Sequence, residues 1–368
     1  MTKLAIIAGE ASGDLHAGTV LREIREIEPG IETFGIGGDL LASQGMDLLF
    51  HAREMGIVGL FNVLRHLGMF RRVFREVIAR IAAERPDAVL LVDYPDFNLR
   101  VAKKCKELGL KVIYFISPQV WAWRRGRVKQ IARYVDHMIV IFPFEEAFYR
   151  SHGVPVTYVG HPLVDQTAML RRSPSKPDRV RVALMPGSRR REVDDLLPAM
   201  LDAIAILQKE RTIEAFIIQA PTIDHEHLEE IVKAGGVDVP ILPHDRGEAL
   251  SSADIALSSS GTATLESAVI GTPVVVMYRL GRATFALARR LVKLPHFSLV
   301  NIVAERRVVP ELLQDAVTGE RIAQEVRTVL EPGRYAQIKA DLAEVKRRLG
   351  DQGASRRAAE AIMAVLAQ

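Results

Sequence analysis

The 368-residue sequence holds one cysteine, Cys105, and few aromatics, 6% of the chain. A single thiol makes no intramolecular disulfide and no cysteine-based zinc centre, which excludes a disulfide scaffold and fits a reducing compartment. Long apolar runs are missing too. None approaches the about 18 residues that span a bilayer, and the apolar start breaks at Gly9–Glu10, too short for a secretory signal. Short-period repeats and low-complexity tracts are absent as well. A cytoplasmic protein is expected. What is present is a globular composition, 48% hydrophobic and 26% charged, in a chain long enough for two α/β domains of about 150–200 residues each. Lys and Arg number 49 against 45 Asp and Glu. That mild excess, with no nucleic-acid module in sight, gives no case for a nucleic-acid partner.

Short apolar runs alternate with helical patterns: Leu4–Ala8 then Asp14–Ile27, Ala88–Val92 then Phe97–Leu108, Val112–Ile116, and Met138–Phe142 then Glu145–Ser151. Such alternation implies a parallel sheet covered on both faces. After the Pro- and charge-rich stretch Arg171–Arg181, which reads as a linker, the alternation restarts with Val182–Met185, Phe216–Gln219, Ile255–Ser258 and Val274–Tyr278. The expected fold is α/β: two Rossmann-like, doubly wound lobes, 1–170 and 181–334, facing a cleft. The tail 335–368 reads as two amphipathic helices broken at Gly350–Gly353. They can complete the second lobe, brace the first, or meet a partner subunit, so a homodimer stays open.

Ligands of open parallel sheets sit beyond the carboxyl ends of the strands, so the turns after each strand carry the candidate chemistry. The first turn is Gly9–Asp14, where glycines admit a tight backbone and Ser12, Gly13 and Asp14 open a helix, as substrate loop or as plain capping. The second is Asp93–Asn98. Asp93 is placed to take a proton from an acceptor hydroxyl or to stabilise the turn, whereas Asp96 reads as a helix N-cap. In the second lobe, Gly187, Ser188 and Arg189 begin an arginine-rich helix start suited to phosphate. Ser259, Ser260, Gly261 and Thr262 form a second such start, with Glu266 one turn in, able to accept from ribose hydroxyls or to complement the helix dipole. Two anion cradles in one lobe suit a diphosphate.

No His, Asp and Glu spacing forms a metal site, and neither a P-loop nor a G-x-S-x-G nor a G-x-G-x-x-G motif occurs. Metal-free chemistry without a cofactor is expected. Leu60–Ala83 carries an apolar stripe that includes Leu67, Phe70 and Phe74, edged by Arg65, Arg71, Arg72, Arg75 and Arg80. A stripe of that kind either packs on the sheet or meets an anionic bilayer and acyl chains.

In this order the blocks GEASGDLHAG at Gly9–Gly18, DYPDFNLR at Asp93–Arg100, ISPQVWAWRRGRV at Ile116–Val128, FPFE at Phe142–Glu145 and VGHPL at Val159–Leu163 resemble lipid-A-disaccharide synthases. So do LMPGSRRREV at Leu184–Val193, SSSGTATLE at Ser258–Glu266, GTPVVVMYR at Gly271–Arg279 and SLVNIVA at Ser298–Ala304. These are inverting glycosyltransferases of the GT-B fold. The resemblance implies UDP-2,3-diacylglucosamine as donor, 2,3-diacylglucosamine 1-phosphate (lipid X) as acceptor, a β(1→6) link and released UDP. It puts the catalytic base on Asp93, a nucleotide contact on Arg189 and a part in activity, on the donor side, on Asn301. It also favours membrane contact by Leu67, Phe70 and Phe74, and a peripheral location on the inner face of the cytoplasmic membrane. Arg124, Arg125 and Arg127 are candidates for the acceptor phosphate. Rival readings are a lipid-linked N-acetylglucosamine transferase and a UDP-sugar 2-epimerase.

Overall fold

In the computed structural model the described residues are 2–56, 63–122, 125–170, 172, 178–242, 246–281, 285 and 294–368; the side chains of 56, 63–67, 125 and 246 fall outside that description. The chain divides into two compact units, Met1–Pro162 with Gly350–Gln368, and Leu163–Leu349.

The first unit is built on seven parallel strands: β1 (Lys3–Ala8), β2 (Glu32–Gly37), β3 (Asp47–His51), β4 (Ala88–Val92), β5 (Lys111–Phe115), β6 (His137–Val140) and β7 (Val156–Tyr158), in the order β3-β2-β1-β4-β5-β6-β7. The central strands are near-continuous apolar runs because helices cover both faces; every residue of β4 is buried. Winding reverses between β1 and β4. These two strands run in register to Ala8 opposite Val92, so the turns beginning at Gly9 and Asp93 emerge side by side at the switch point.

The arginine-edged stripe lies on helix Val63–Glu84. Val73, Val77 and Ile81 are core residues there. Phe70 and Phe74, the residues expected at a membrane, are partly buried and pack against that core, with ring centroids 6.4 and 5.9 Å from Phe97. Amphipathic spacing does not distinguish a lipid partner from a protein one, and the protein covers part of this face. The side chain of Leu67 lies outside those described.

Asp14 is buried, and its carboxylate accepts from the backbone N–H groups of Gly38 (2.6 Å), Leu40 (3.0 Å) and Leu41 (3.1 Å). It closes the turn after β2. The last helix, Ala354–Leu366, packs on helix Ala11–Ile27, with Ala358, Ala359 and Ile362 buried and Arg356 reaching Glu23 and Glu26.

The second unit repeats the plan with β8 (Val180–Met185), β9 (Ile213–Ile218), β10 (Ile241–Leu242), β11 (Ile255–Ser259), β12 (Val274–Tyr278) and β13 (Glu311–Leu313), in the order β10-β9-β8-β11-β12-β13. Its switch point falls between β8 and β11, which pair as far as Met185 opposite Ser258. Within the linker-like stretch, Arg172 donates to the carbonyls of Gly271 (2.6 Å) and Ala253 (2.8 Å). Among the described residues no helix is long and apolar enough to cross a membrane.

Replacing Asp14 with alanine strands three amide donors near the end of β2 and should lower unfolding stability by about 2 kcal/mol. A denaturant titration checks this, and an unchanged midpoint would count against the capping role.

Candidate active site

Six non-glycine residues among those described have positive φ, and three of them, Asp93 (+46°), Tyr94 (+49°) and Ile116 (+63°), stand at the carboxyl ends of β4 and β5. Left-handed backbone is unfavourable for a residue with a Cβ, and such strain gathers at functional sites. The Asp93 N–H donates to the carbonyl of Phe115 at 3.0 Å. Its own carbonyl accepts from the Tyr114 hydroxyl at 2.6 Å and the Asn98 amide at 2.7 Å. The Tyr94 ring lies over Gly9, where an added Cβ would come within 2.6 Å of a ring carbon, so the turns after β1 and β4 fit together only because position 9 is glycine.

Burial pushes the Asp93 carboxyl up to about 6, the nearby charge of Glu10 adds to the rise, and a hydrogen bond from the Tyr94 backbone opposes it. Glu10 is exposed at the head of helix Ala11–Ile27. Within Gly9–Asp14, then, the group that acts on Asp93 is Glu10. Sequence reasoning passed it over, and the one available signal was its place directly after β1. Ser12 is exposed on the first turn of the same helix, and Gly13 is buried beneath it.

Asp96 is not the N-cap. That position is Tyr94, the helix begins at Pro95, and exposed Asp96 pairs with Arg127. Arg124 lies outside the described residues, as does the side chain of Arg125. The Trp121 indole N–H donates to Glu145 at 3.0 Å, and the second oxygen of Glu145 accepts from the Phe142 backbone at 3.2 Å. Complete burial lifts this carboxyl to about 8, so it is largely protonated at neutral pH. The blocks around Trp121 and Glu145, distant in sequence, are thereby fastened together beside β5 and β6.

In the second unit, β8 runs into Pro186-Gly187-Ser188-Arg189, and Arg189 is the N-cap of helix Arg190–Gln208. Gly187 has φ +132°, and a Cβ there would lie 2.5 Å from a Glu192 oxygen. The Glu192 carboxylate accepts from the Ser188 N–H at 3.2 Å and from the Arg189 guanidinium at 2.7 Å. An anion already suits this turn, and the exposed Ser188 and Arg189 can turn to another.

Across the switch point, Gly261 caps helix Thr262–Ile270 without a side-chain hydrogen bond. Ser259 is buried, Ser260 donates to the Phe297 carbonyl at 3.2 Å, Thr262 is exposed, and Glu266 is half-buried. Both helix starts therefore open at one switch point. Asn301 does not join them. It is wholly buried, its amide donates to the Val309 carbonyl at 3.0 Å, and its oxygen accepts from Val308 (2.7 Å) and Val309 (3.0 Å). Its side chain is committed to the backbone that leads into β13. No group of three His, Cys, Asp or Glu among the described residues is arranged to hold a metal.

The lipid-A-disaccharide synthetase family model matches residues 4–365. A lipid-A-disaccharide synthase of Myxococcus xanthus is 44% identical over 99% of this chain and 97% of its own length, and one of Geobacter sulfurreducens is 40% identical over the same shares. Among solved structures, a Staphylococcus aureus MnaA–UDP complex superposes with a TM-score of 0.68 at 13% identity, covering 100% of this chain and 97% of that one. The calicheamicin glycosyltransferase CalG4 gives 0.60 at 15%, covering 100% and 99%. At such identities the structural likeness shows the fold alone, which GT-B glycosyltransferases and epimerases share, while the sequence relationship selects among them. The chain belongs to the lipid-A-disaccharide synthase family of glycosyltransferases.

Proposed function

We propose that the enzyme transfers 2,3-diacylglucosamine from UDP-2,3-diacylglucosamine to the 6-hydroxyl of 2,3-diacylglucosamine 1-phosphate, with inversion, giving the β(1→6) disaccharide 1-phosphate and UDP. The observation that carries this reading is Asp93 itself, a carboxyl held near neutrality at the switch point of the first unit. As base it accepts the hydroxyl proton while the oxygen attacks the anomeric carbon and the bond to UDP breaks. Gly187, Ser188, Arg189, Ser259, Ser260, Gly261 and Thr262 form the donor's diphosphate cradle, and Glu266 serves the ribose. Helix N-termini and the Arg189 guanidinium take up the negative charge that develops on UDP. Asn301 contributes from behind, by fixing the backbone ahead of β13. Ser12 belongs to the acceptor side, over the buried Gly13.

Acylated substrates also require an approach to a bilayer, and we assign it to the exposed arginine face of helix Val63–Glu84, where Arg71 and Arg75 point away from the core. On this reading the enzyme works at the anionic inner face of the cytoplasmic membrane.

With both substrates in detergent, Asp93→Asn should reduce acceptor-dependent UDP release about 10²–10⁴-fold. In the wild type kcat/KM should fall tenfold per pH unit below about 6, where Asp93 becomes protonated. UDP release that needs no acceptor would instead favour a UDP-sugar epimerase-like reaction.

The same substitution has a stability consequence of opposite sign. Asp93 titrates near 6 in the fold against 3.8 ordinarily. Its ionised form is thus disfavoured in the fold, and stability is lost as pH rises through 6. Asp93→Asn should therefore unfold later than wild type at pH 8, by roughly 2–3 kcal/mol, with the gap closing below pH about 4. Thermal melts at the two pH values would expose an error in this assignment if the gap failed to close.

Reversing Arg71 and Arg75 to glutamate should weaken co-sedimentation with anionic vesicles at least about tenfold, leaving zwitterionic vesicles unaffected. Equal binding to anionic vesicles would remove the helix from the membrane contact.

A further inference from the structure

The hydrogen bonds at the carboxyl ends of β4 and β5 converge on a main-chain atom, the carbonyl oxygen of Asp93. Tyr114, wholly buried on β5, donates its hydroxyl at 2.6 Å, and Asn98, wholly buried on helix Pro95–Glu107, donates its amide at 2.7 Å. The two donors come from different elements and meet on one oxygen. Asn98 reaches the Val92 carbonyl too, at 3.1 Å, so one amide spans the strand end and the turn. Its own Oδ1 is buried with no hydrogen-bond partner among the described residues. An unsatisfied buried acceptor is unfavourable, and its retention needs an explanation.

The strained backbone supplies one. Asp93 and Tyr94 are consecutive left-handed residues, and neither is glycine, the residue that would adopt this turn without strain. Such a pair persists only where its surroundings over-determine it. Here the Tyr94 ring is seated on Gly9 and the Asp93 carbonyl is gripped from two sides. The position cannot be relieved by glycine if its side chain is the one that does the work.

We propose that Tyr114 and Asn98 are positioning residues for the base: their shared grip on the Asp93 carbonyl holds the left-handed backbone that carries its carboxyl. The proposal rests on Asp93 being the base. Neither residue touches substrate; both act through Asp93.

Tyr114→Phe deletes one hydroxyl and keeps the buried ring. It should lower kcat about fivefold to tenfold, as expected for one buried hydrogen bond, with KM for both substrates unchanged. In an Asp93→Asn background the same change should have no further effect on the residual rate, because the group it positions is no longer a base. A merely structural role would lower both backgrounds by the same factor, and that result, or a Tyr114→Phe enzyme with wild-type kcat, overturns the proposal. Asn98→Ser, measured in the same two backgrounds, is the second variant and carries the same expectation should Tyr114→Phe not fold. Wild-type kcat in Asp93→Asn alone would instead remove the base assignment on which the grip depends.

Discussion

A carboxyl that serves as a base near neutral pH must be drawn partly out of water without being sealed from its substrate. On the proposed reading Asp93 is that carboxyl, and it sits at the seam between β1 and β4. Strand register brings the two turns out together, burial raises Asp93, and the neighbouring Glu10 raises it further. Much of the surrounding structure depends on that one arrangement. Position 9 must lack a side chain so that Tyr94 can lie across it, and the backbone of Asp93 must be held from behind by Tyr114 and Asn98.

The second unit meets a different demand with the same sheet topology. Its switch point gathers two helix starts instead of a buried acid, and the local chemistry is cationic and small-hydroxyl. Glu192 occupies the donors of Ser188 and Arg189, showing that the turn is shaped around an anion. Parallel sheets of one design thus present a buried acid in one unit and cationic, hydroxyl-bearing helix starts in the other by changing only the turns at their strand ends.

Much of this was legible in the sequence, for a physical reason. Strands buried on both faces must be apolar throughout, so β1, β4, β5, β6, β8, β9, β11 and β12 stand out as short hydrophobic runs. Strands β2 and β3 do not, because β2 is interrupted by Gly35 and Gly37 and β3 lies at an edge with only partly buried residues. The turns that bear Asp93 and Arg189 could be found because strand ends locate them. The task of each polar side chain there could not. Asp14 and Asn301 look like ligands in a motif, yet both spend their hydrogen bonds on backbone from another part of the same unit, a use that only tertiary structure reveals. Phe70 and Phe74 illustrate the same limit for apolar residues, since their spacing fits a bilayer and Phe97 equally well.

The helix Ala354–Leu366 has a consequence for how the protein comes to exist. It lies against helix Ala11–Ile27, and Ser355 meets Thr19 across a separation of 336 residues. On a ribosome the first sheet emerges early, but the helix that covers this face emerges only after the whole second unit has been made. The apolar side of Ala11–Ile27 therefore waits uncovered throughout synthesis of the intervening chain, and the first unit, begun first, is finished last.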